Sequence, residues 1–411
     1  MIFLGYKANV VDVVIDSIDA ASEDLRRLNL AIWNNPEIMF QEFKACKLLT
    51  EWLQNRGWSV KSEVYGIETA FEARFSVVPG GRTVCYNAEY DALPGLGHAC
   101  GHNLIATSSM ASAIGVSAAL KALNTAGTVV VMGTPAEETG GGKLIMAEYG
   151  AWKSCDAIMM SHAMPSFSTP LCLTKASWKF RAKFRGKSAH AAVAPWDSYN
   201  ACDAIVMAYN GLAMLRQKIQ KTDSIQSVIL EAGRVPNIIP DYSEGYFSLR
   251  SKNSQHLREL KERVIPVFDG AAAATGCTVE LVWEALYEDV VSNYGLAERY
   301  QQHMINQLGL SVKDMLPLED SIRHHDQNAS SDFGNCTYLQ PGIQAIFSIE
   351  ANDMPHTPPF REASGTDLAH REALRVGKAN ALLGMDVILN DQFYSQIKEE
   401  WKEEMRKRGR L

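Results

Sequence analysis

The sequence predicts an α/β fold: a large domain with a mostly parallel sheet, and a smaller α+β domain inserted into it. Short apolar runs alternate with helical patterns in the first and last parts of the chain, as in a sheet with helices on both faces. In the middle the order changes to strand-helix-strand-strand-helix-strand. Because apolar strands resume afterwards, we expect residues 1–171 and 286–411 to form one domain and 172–285 the inserted one.

The first elements are two predicted helices. The pattern VVDVVIDSIDAASEDLRRLNLAIWNNP ends before Pro36, and EFKACKLLTEWLQNRG ends at Gly57. Strand-like segments follow, and helical patterns such as LIATSSMASAIGVSAALKAL separate them. These predicted strands are RTVCYNAEYDALP, GTVVVMGTPAEETGG, CDAIMMSHAMP and GIQAIFSIEANDMPHT.

The inserted domain begins with SWKFRAKFRGKSAHAA, whose alternation of apolar and polar residues is typical of a half-exposed strand. A helix, NACDAIVMAYNGLAMLRQKI, and two strands, SIQSVILEAG and YSEGYFSLRS, come next. The helix SQHLRELKERVIPVFDGAAAATG and the strand CTVELVWEA complete the set. This order predicts a ferredoxin-like arrangement.

Composition excludes several classes of protein. The chain has 411 residues, with 46% hydrophobic and 21% charged residues, which is typical of globular proteins. A net charge of −7 argues against a nucleic-acid-binding surface. The eight cysteines are scattered without a Cys-x-x-Cys pair, which is typical of reduced thiols. Charges come too early for a secretory leader, and no apolar run approaches the roughly 18 residues of a membrane helix. We therefore expect a soluble, cytoplasmic protein with no membrane partner.

Polar side chains follow the apolar strands at the point where each strand ends. His98, Cys100 and His102 follow the first strand, Glu137 and Glu138 the second. His162 comes after the third and His356 after the fourth. Ligands bind at the carboxyl ends of strands in open α/β sheets, so we expect these groups at one edge.

These residue types suit a pair of divalent metal ions. Thiolate, imidazole and carboxylate favour zinc, with manganese or cobalt also possible. Hydrolysis at such a pair also needs a carboxylate that is not a ligand, and one of Glu137 and Glu138 can serve. Taken singly, each residue has a structural interpretation: Cys100 as a buried thiol, the glutamates as a solvated loop, His162 as a core histidine. His98 is interpreted as bracing the turn or a ligand, and His324 and His325 as surface residues.

Five ordered motifs resemble those of the peptidase M20 family of metallopeptidases. They resemble most its aminoacylase-like amidohydrolase branch, with the p-aminobenzoyl-glutamate hydrolases and the peptidase M20 domain-containing protein 2 group. The resemblance covers about residues 20 to 390. The motifs are NAEYDALPGLGHACGHN, GTPAEETGGGK, GKSAHAAVAPWDSYNA, NIIPDYSEGYFSLRS and SSDFGNCTY.

The resemblance implies a zinc-peptidase-like catalytic domain, a lid and dimerisation domain, and a role for each matched residue. Two metal ions, zinc or manganese, would be bound by Cys100 as a bridging thiolate and by His102, Glu138, His162 and His356. Glu137 matches the general base. In the inserted domain, His190 matches a catalytic histidine that reaches the neighbouring subunit's active site and stabilises the oxyanion, so a homodimer or higher oligomer is expected. Asn237 and Arg250 match residues that hold the substrate, and Asp332 is a candidate anchor beside the ligands.

The resemblance implies hydrolysis of an amide bond in a small N-acyl amino acid or dipeptide-like substrate. Two positions depart from the wider pattern: Asn103 stands where an Asp is common, and Cys336 where a small apolar residue is usual. The same site could instead form an amide, or the chain could be an inactive binding member, although such members usually lose a ligand or the base. A structural dimer with a redox-active Cys100 would leave the paired glutamates and His356 unexplained.

Overall fold

The computed structural model describes residues 9–320 and 329–411, and the chain forms two compact units. The large unit contains the described residues up to Leu173, those from Val290 to 320, and Asp332–Leu411. The small unit contains Thr174–Asp289 and residues 329–331. The predicted insertion, 172–285, falls within a few residues of these bounds. His324 and His325 lie outside the described residues.

Both units combine helices and strands. The first part of the large unit contains α1 (Asn9–Ala20), α2 (Ser22–Asn34), α3 (Phe43–Gln54), β1 (Ser59–Ser62), β2 (Phe71–Ser76), β3 (Val78–Glu89), α4 (His102–Leu123), β4 (Ala126–Thr134), α5 (Gly142–Glu148) and β5 (Ala157–Met164). The small unit contains β6 (Ala176–Arg185), β7 (Ala189–His190), α6 (Ala201–Leu215), β8 (Ser224–Glu231), β9 (Ile238–Ile239), β10 (Tyr242–Ser251), α7 (Ser254–Thr275) and β11 (Thr278–Trp283), besides the 3-10 turns Pro195–Asp197 and Arg216–Lys218. The chain returns to the large unit with α8 (Tyr294–Asn306), α9 (Phe333–Thr337), β12 (Gly342–Ser348), α10 (Pro358–Ser364), α11 (Asp367–Leu389) and α12 (Asp391–Lys407).

The large unit is organised around a six-stranded sheet of order β1-β2-β4-β3-β5-β12. The pairs β3–β4, β3–β5 and β5–β12 are parallel, with β1–β2 and β2–β4 antiparallel. The registers Glu89↔Thr134 and Ile346↔His162 bring the carboxyl ends of these strands to one edge. The mostly parallel sheet expected from the apolar runs is therefore confirmed.

Helices cover this sheet because its central strands are largely apolar and buried. The last six residues of β3 and of β4 are buried. Helix α4 packs on β3 and against α1 and α11. It has the length and apolar composition of a membrane span, but 89% of its 18-residue apolar window is buried inside the protein, as in a core helix.

The small unit is a four-stranded antiparallel sheet of order β11-β6-β10-β8, with α6 and α7 packed on one face. This is the predicted strand-helix-strand-strand-helix-strand order. Phe180, Phe247 and Phe268 form the aromatic centre of the core between sheet and helices. Strand β8 is at an edge of this sheet, and among the described residues it pairs only with β10.

Two local features differ from the prediction. The first predicted helix is two helices that meet at Ala21, whose N–H bonds back three residues to the Ile18 carbonyl. The antiparallel strands β1 and β2 were missed, because they are short and contain several charged residues.

Candidate metal centre

The loop after β3 and the start of α4 place the first group of polar side chains. Gly101 has a left-handed φ of 80°, and α4 begins at the next residue, His102. A side chain is strained in that conformation, which accounts for the glycine between Cys100 and His102. Cys100 and His102 are thereby held on either side of a tight turn at the carboxyl edge of the sheet.

Cys100, His102 and His162 form one triad in which the ligand atoms lie within 4.8 Å of one another. The Sγ atom of Cys100 lies 3.5 Å from Nε2 of His162. Nδ1 of His162 lies 2.8 Å from the Ala163 carbonyl, which can only accept, so Nδ1 carries the proton and Nε2 presents a lone pair. Because His162 is within β5, the sheet itself aims its ring.

A second triad, Cys100, Glu138 and His356, meets the same 4.8 Å limit. Oε1 of Glu138 lies 3.3 Å from Nε2 of His356. His356 has a left-handed φ of 70°, and its N–H donates to the Ala99 carbonyl at 2.8 Å. This contact fixes the loop after β12 against the loop after β3. Cys100 belongs to both triads, and one thiolate at such a position can contact two cations.

Asp91 connects the two triads and was not singled out from the sequence. Its Oδ1 lies 3.0 Å from Nδ1 of His102, and its Oδ2 accepts the N–H of Glu138 at 3.0 Å. A carboxylate accepts, so His102 carries its proton on Nδ1 and directs Nε2 to the centre. The position of Asp91, two residues beyond β3, was the available signal.

Two buried polar atoms fit a cation at this centre. Nε2 of His102 and Oε2 of Glu89 are buried and have no hydrogen-bond partner among the described residues. Nε2 of His102 lies 3.5 Å from Oε2 of Glu89 and 3.9 Å from both Oε2 of Glu137 and Oε1 of Glu138. Buried polar atoms are costly unless partnered, and a divalent cation is a partner that nitrogen and oxygen ligands share.

A short loop after β4 holds Glu137 and Glu138. Ala136, just before them, has a left-handed φ of 61°, and its N–H donates to Oε1 of buried Glu42 at 3.0 Å. Gly142 closes the loop, since a Cβ there would lie 1.9 Å from the Pro135 carbonyl oxygen. Glu42 was also missed by the sequence analysis, because it precedes a helix far from every motif.

The two neighbouring glutamates differ in their electrostatics. Burial, and then the charges of Glu89 and Glu138, raise the pKa of Glu137 well above its usual range. Burial also acts to raise the pKa of Glu138, but the hydrogen bond from His356 and the charge of His102 outweigh it and lower the pKa. Burial, followed by the charge of Glu138, raises the pKa of the Cys100 thiol. The adjacent carboxyl groups are therefore held in different environments.

A buried cation lies beside the acidic groups. Nζ of Lys143 lies 2.6 Å from Oε1 of Glu89 and 2.6 Å from Oδ1 of Asp332. Burial opposes the charge on Lys143, but Asp332 and Glu89 outweigh it and raise the lysine pKa. Burial raises the pKa of Asp332 to about 6, although Lys143 acts in the opposite direction. Asp332 thus contacts Lys143, and neither Lys143 nor Glu89 was predicted.

Three further positions have structural environments of their own. His98 is buried and lies outside both triads. Burial lowers the pKa of its ring to about 3. Its backbone carbonyl accepts a hydrogen bond from the Ser364 hydroxyl at 3.0 Å. Nδ2 of Asn103 donates to Oδ1 of Asn29 at 2.7 Å and to the Ser364 carbonyl at 2.9 Å. Sγ of Cys336 is buried, 3.6 Å from Nδ2 of Asn87. Asn103 therefore serves packing of α2 and α10 against α4.

The predicted catalytic His190 and the predicted substrate-binding residues lie in the small unit. His190, in β7, and Asn237, just before β9, are both exposed and adjacent, since β7 pairs with β9 and the Ala191 N–H donates to the Asn237 carbonyl at 3.0 Å. Arg250, near the end of β10, is half-buried, and its Nη1 donates to the Ser330 hydroxyl at 3.2 Å. Burial lowers the pKa of Arg250. The small unit thus brings His190 and Asn237 together.

Comparisons with known proteins match both units. Residues 173–275 match the model of the peptidase dimerisation domain of M20 proteins. The chain is 37% identical over 400 residues to the Xaa-Arg dipeptidase of Mus musculus, covering 94% of this chain and 91% of the relative. It is 30% identical over 457 residues to a subunit of the p-aminobenzoyl-glutamate hydrolase of Escherichia coli, covering 94% and 93%. A dinuclear metal-binding M20 peptidase from Bacillus subtilis superposes with a TM-score of 0.64 at 20% identity, covering 89% of this chain and 98% of that one.

These matches confirm the predicted family and fold. The first two relatives are each named for cleaving a peptide or amide-linked substrate, which agrees with the predicted class of enzyme. Their alignments span nearly the whole chain, so they include both the candidate metal centre and the small unit. The chain therefore belongs to the peptidase M20 family of hydrolases.

Proposed function

We propose that the chain hydrolyses the amide bond of a small dipeptide-like or N-acyl amino acid substrate, with Glu137 as the general base. The observation that carries this proposal is the pair of triads that share Cys100, together with a third group, His102, Glu137 and Glu138, which places Glu137 at the same centre. Glu137 lies 3.9 Å from His102 and is almost completely buried. A base in that position is next to any water activated at the triads.

Cys100, His102, Glu138, His162 and His356 would hold two divalent ions, zinc or manganese. When bound, the ions polarise the amide carbonyl and acidify the attacking water. The sharing of Cys100 between two triads supports two ions rather than one. The mixed donor set of thiolate, imidazole and carboxylate supports zinc, and manganese is compatible with the nitrogen and oxygen donors.

The protein's own groups then move the proton and hold the substrate. Glu137 takes the proton of the attacking water and passes it to the leaving amine, which requires a carboxylate that is free of metal. Its loop is fixed by the contact between Glu42 and Ala136, so the carboxylate is held without substrate. His190 of a second copy would support the oxyanion, and Asn237 and Arg250 would bind the substrate carboxylate, where a guanidinium offers two parallel donors.

The substrate class follows from the relatives and from Arg250. One relative is named for Xaa-Arg dipeptides and another for p-aminobenzoyl-glutamate, and both substrates carry a free carboxylate next to the scissile amide. A half-buried guanidinium at the end of β10 suits that shared group. We therefore include dipeptides with basic and acidic C-terminal residues among the substrates to be tested.

A second copy of the chain is the proposed partner, docked on β8 and α6 of the small unit. Among the described residues, strand β8 pairs only with β10, and it exposes Val228 and Leu230, each with 49% of its surface accessible. The outer face of α6 exposes Met207 and Met214. An edge strand with apolar side chains is a template for pairing, and the match to a dimerisation domain covers it. Replacement of both Val228 and Leu230 by lysine should yield monomers in light-scattering measurements. An unchanged molecular mass would contradict this interface.

The cytoplasm is the proposed compartment. All eight cysteines are free thiols, including Cys100, which must remain reduced to bind metal. A reducing compartment preserves that state. Treatment of the metal-free protein with a disulfide reagent, which oxidises accessible thiols, should therefore abolish later metal uptake. Retained uptake would contradict this argument.

The test of the activity is a mass-spectrometric cleavage screen. The panel contains dipeptides ending in basic or acidic residues, β-alanyl dipeptides, N-acyl amino acids and aryl-amide glutamates, with zinc or manganese supplied separately. The wild type should cleave one class. Glu137→Gln should bind metal as the wild type does and lose activity by roughly two to four orders of magnitude. Near-normal turnover in this variant would exclude Glu137 as the base, and absence of turnover with metal bound to the wild type would favour amide formation or an inactive binding protein.

A further inference from the structure

The buried group Glu89–Lys143–Asp332 lies next to the candidate metal centre and has no role in the function proposed above. All three side chains have essentially no accessible surface. Ion pairs at such depth are retained at a cost, because the charges lose their hydration. Hydrophobic residues of similar volume would fill the same space, so the group calls for a specific explanation.

Asp332 fixes Lys143 at both ends. Its Oδ2 accepts the backbone N–H of Lys143 at 3.0 Å, and its Oδ1 contacts Nζ at 2.6 Å. Lysine normally has a flexible stem, but here the backbone and the ammonium are both held by the same carboxylate. Lys143 immediately follows the loop that carries Glu137 and Glu138. The contacts with Asp332 therefore fix the ammonium relative to that loop.

Lys143 in turn determines which oxygen of Glu89 faces the centre. Nζ lies 2.6 Å from Oε1 of Glu89, so Oε2 is the oxygen left for another partner. Oε2 lies 3.5 Å from Nε2 of His102. Both Oε2 of Glu89 and Nε2 of His102 are buried without a hydrogen-bond partner among the described residues.

The spacing of these two atoms is that of two ligands of one cation. In a tetrahedral site with bonds of about 2.1 Å, the ligand atoms lie about 3.4 Å apart. The separation of Oε2 of Glu89 from Nε2 of His102, 3.5 Å, agrees with this value. It also matches the 3.3 Å between Glu138 and His356 in the second triad.

Charge leads to the same conclusion. One ammonium is shared by two buried carboxylates, so Lys143 cannot neutralise both Glu89 and Asp332. The uncompensated negative charge therefore lies on Oε2 of Glu89, the oxygen that faces His102. A divalent cation next to His102 would neutralise it, whereas without a cation a buried carboxylate oxygen would be left without compensation.

We propose that Glu89 is a further ligand of the metal centre and that Lys143, anchored by Asp332, is the positioning residue that presents its carboxylate. This inference rests on the metal-dependent function proposed above. The competing explanation is that Glu89 is merely the counter-ion of Lys143. If Glu89 is a ligand, its replacement weakens metal binding, whereas if it is only a counter-ion, metal affinity stays the same. Measurements of stability alone do not distinguish the two explanations.

The experiment compares divalent-metal binding by wild type, Glu89→Gln and Lys143→Met. Metal content is measured by plasma mass spectrometry after dialysis, and affinity for zinc and for manganese by competition with a chromophoric chelator. Glu89→Gln leaves the Lys143–Asp332 pair intact, so folding should be preserved. Cobalt-substituted protein adds a spectroscopic readout, because the ligand-field bands depend on the number of ligands. The matched control is Glu72→Gln, which removes another buried carboxylate of the large unit, paired with Arg74 at 2.5 Å.

We expect Glu89→Gln to weaken the binding of one metal ion by at least the 10- to 100-fold typical of losing a supporting group, and to change the cobalt bands. Lys143→Met should weaken the same ion, while Glu72→Gln should bind as the wild type does. Wild-type affinity and an unchanged cobalt spectrum in Glu89→Gln would overturn the assignment and leave the counter-ion explanation. A wild type that binds no divalent metal would instead overturn the proposed function, so the two failures are distinguishable.

Discussion

Replacement of Asp91 by asparagine tests how the centre is held together. The carboxylate of Asp91 contacts His102 Nδ1 and the Glu138 N–H, each at 3.0 Å. An amide has the same shape but one acceptor oxygen. Asp91→Asn can therefore satisfy only one of the two groups, and its NH₂ must face the other.

Both orientations of the amide harm the centre. With the NH₂ towards Glu138, two donors oppose each other and the buried N–H loses its partner, at a cost of about 1–3 kcal/mol. With the NH₂ towards His102, Nδ1 must become an acceptor and the proton moves to Nε2. That atom is the one that would bind the proposed metal ion, so binding would be blocked. Either way the metal affinity should fall 10- to 100-fold, or by about 1.4–2.7 kcal/mol.

The assay is a chelator competition titration together with urea unfolding of the apo and metal-loaded protein. The matched control is Asp386→Asn, because Asp386 is a buried aspartate of the same unit that also contacts a histidine, His303, at 2.6 Å. Both variants should lose stability. Only Asp91→Asn should lose metal affinity, and equal metal affinity in the two variants would refute the role assigned to Asp91.

Two other predictions concern stability. Asn103→Asp should reduce the free energy of unfolding by about 3 kcal/mol, because the carboxylate oxygens would face the acceptor oxygens of Asn29 and Ser364. Metal affinity should be retained. An unchanged urea midpoint would contradict this account. Burial, followed by the charge of Arg26, lowers the pKa of His370 to about 4. The unfolded chain then takes up a proton first as the pH falls, so stability should decrease between about pH 6.5 and pH 4, by at most about 3 kcal/mol. His370→Gln should flatten that part of the stability profile, and an identical slope would show that another group is responsible.

The sequence predicted the sheet and singled out the proposed ligands because both depend on local pattern. Buried parallel strands are largely apolar, so the polar residues at their carboxyl ends stand out in the sequence. The pairing of β3, β4, β5 and β12 then brings those residues to one edge. Strands β1 and β2 gave no such signal, since they are short and Arg74 and Lys61 interrupt their apolar character.

The groups that support the ligands could not be found in the same way. Glu42 contacts the loop of Glu137 from a different part of the chain, and Asp332 reaches Lys143 across 189 residues. Glu89 is the last residue of β3, and the sequence analysis singled out the polar residues that follow this strand. Only the contact with Lys143 shows why Glu89 itself is buried. Such partners are defined by tertiary packing, and no spacing rule in one sequence reveals them.

In the proposed mechanism, the loop after β4 would supply both a metal ligand, Glu138, and a base, Glu137. Asp91 holds the backbone of Glu138, and His356 donates towards its carboxylate, so this group is kept ionised and suited to a cation. Glu137 faces burial and the charges of Glu89 and Glu138, which strengthen its hold on a proton. Environments that shift the pKa values of two neighbouring carboxyl groups in opposite directions support the proposed division into base and ligand.

This separation predicts different losses for the same chemical change at neighbouring positions. Glu138→Gln should lose bound metal first and activity as a consequence, so excess zinc or manganese should restore part of the turnover. Glu137→Gln should keep its metal and gain nothing from the excess. Rescue of Glu137→Gln by added metal would reverse the assignment of base and ligand, because only a weakened ligand can be compensated by a higher metal concentration.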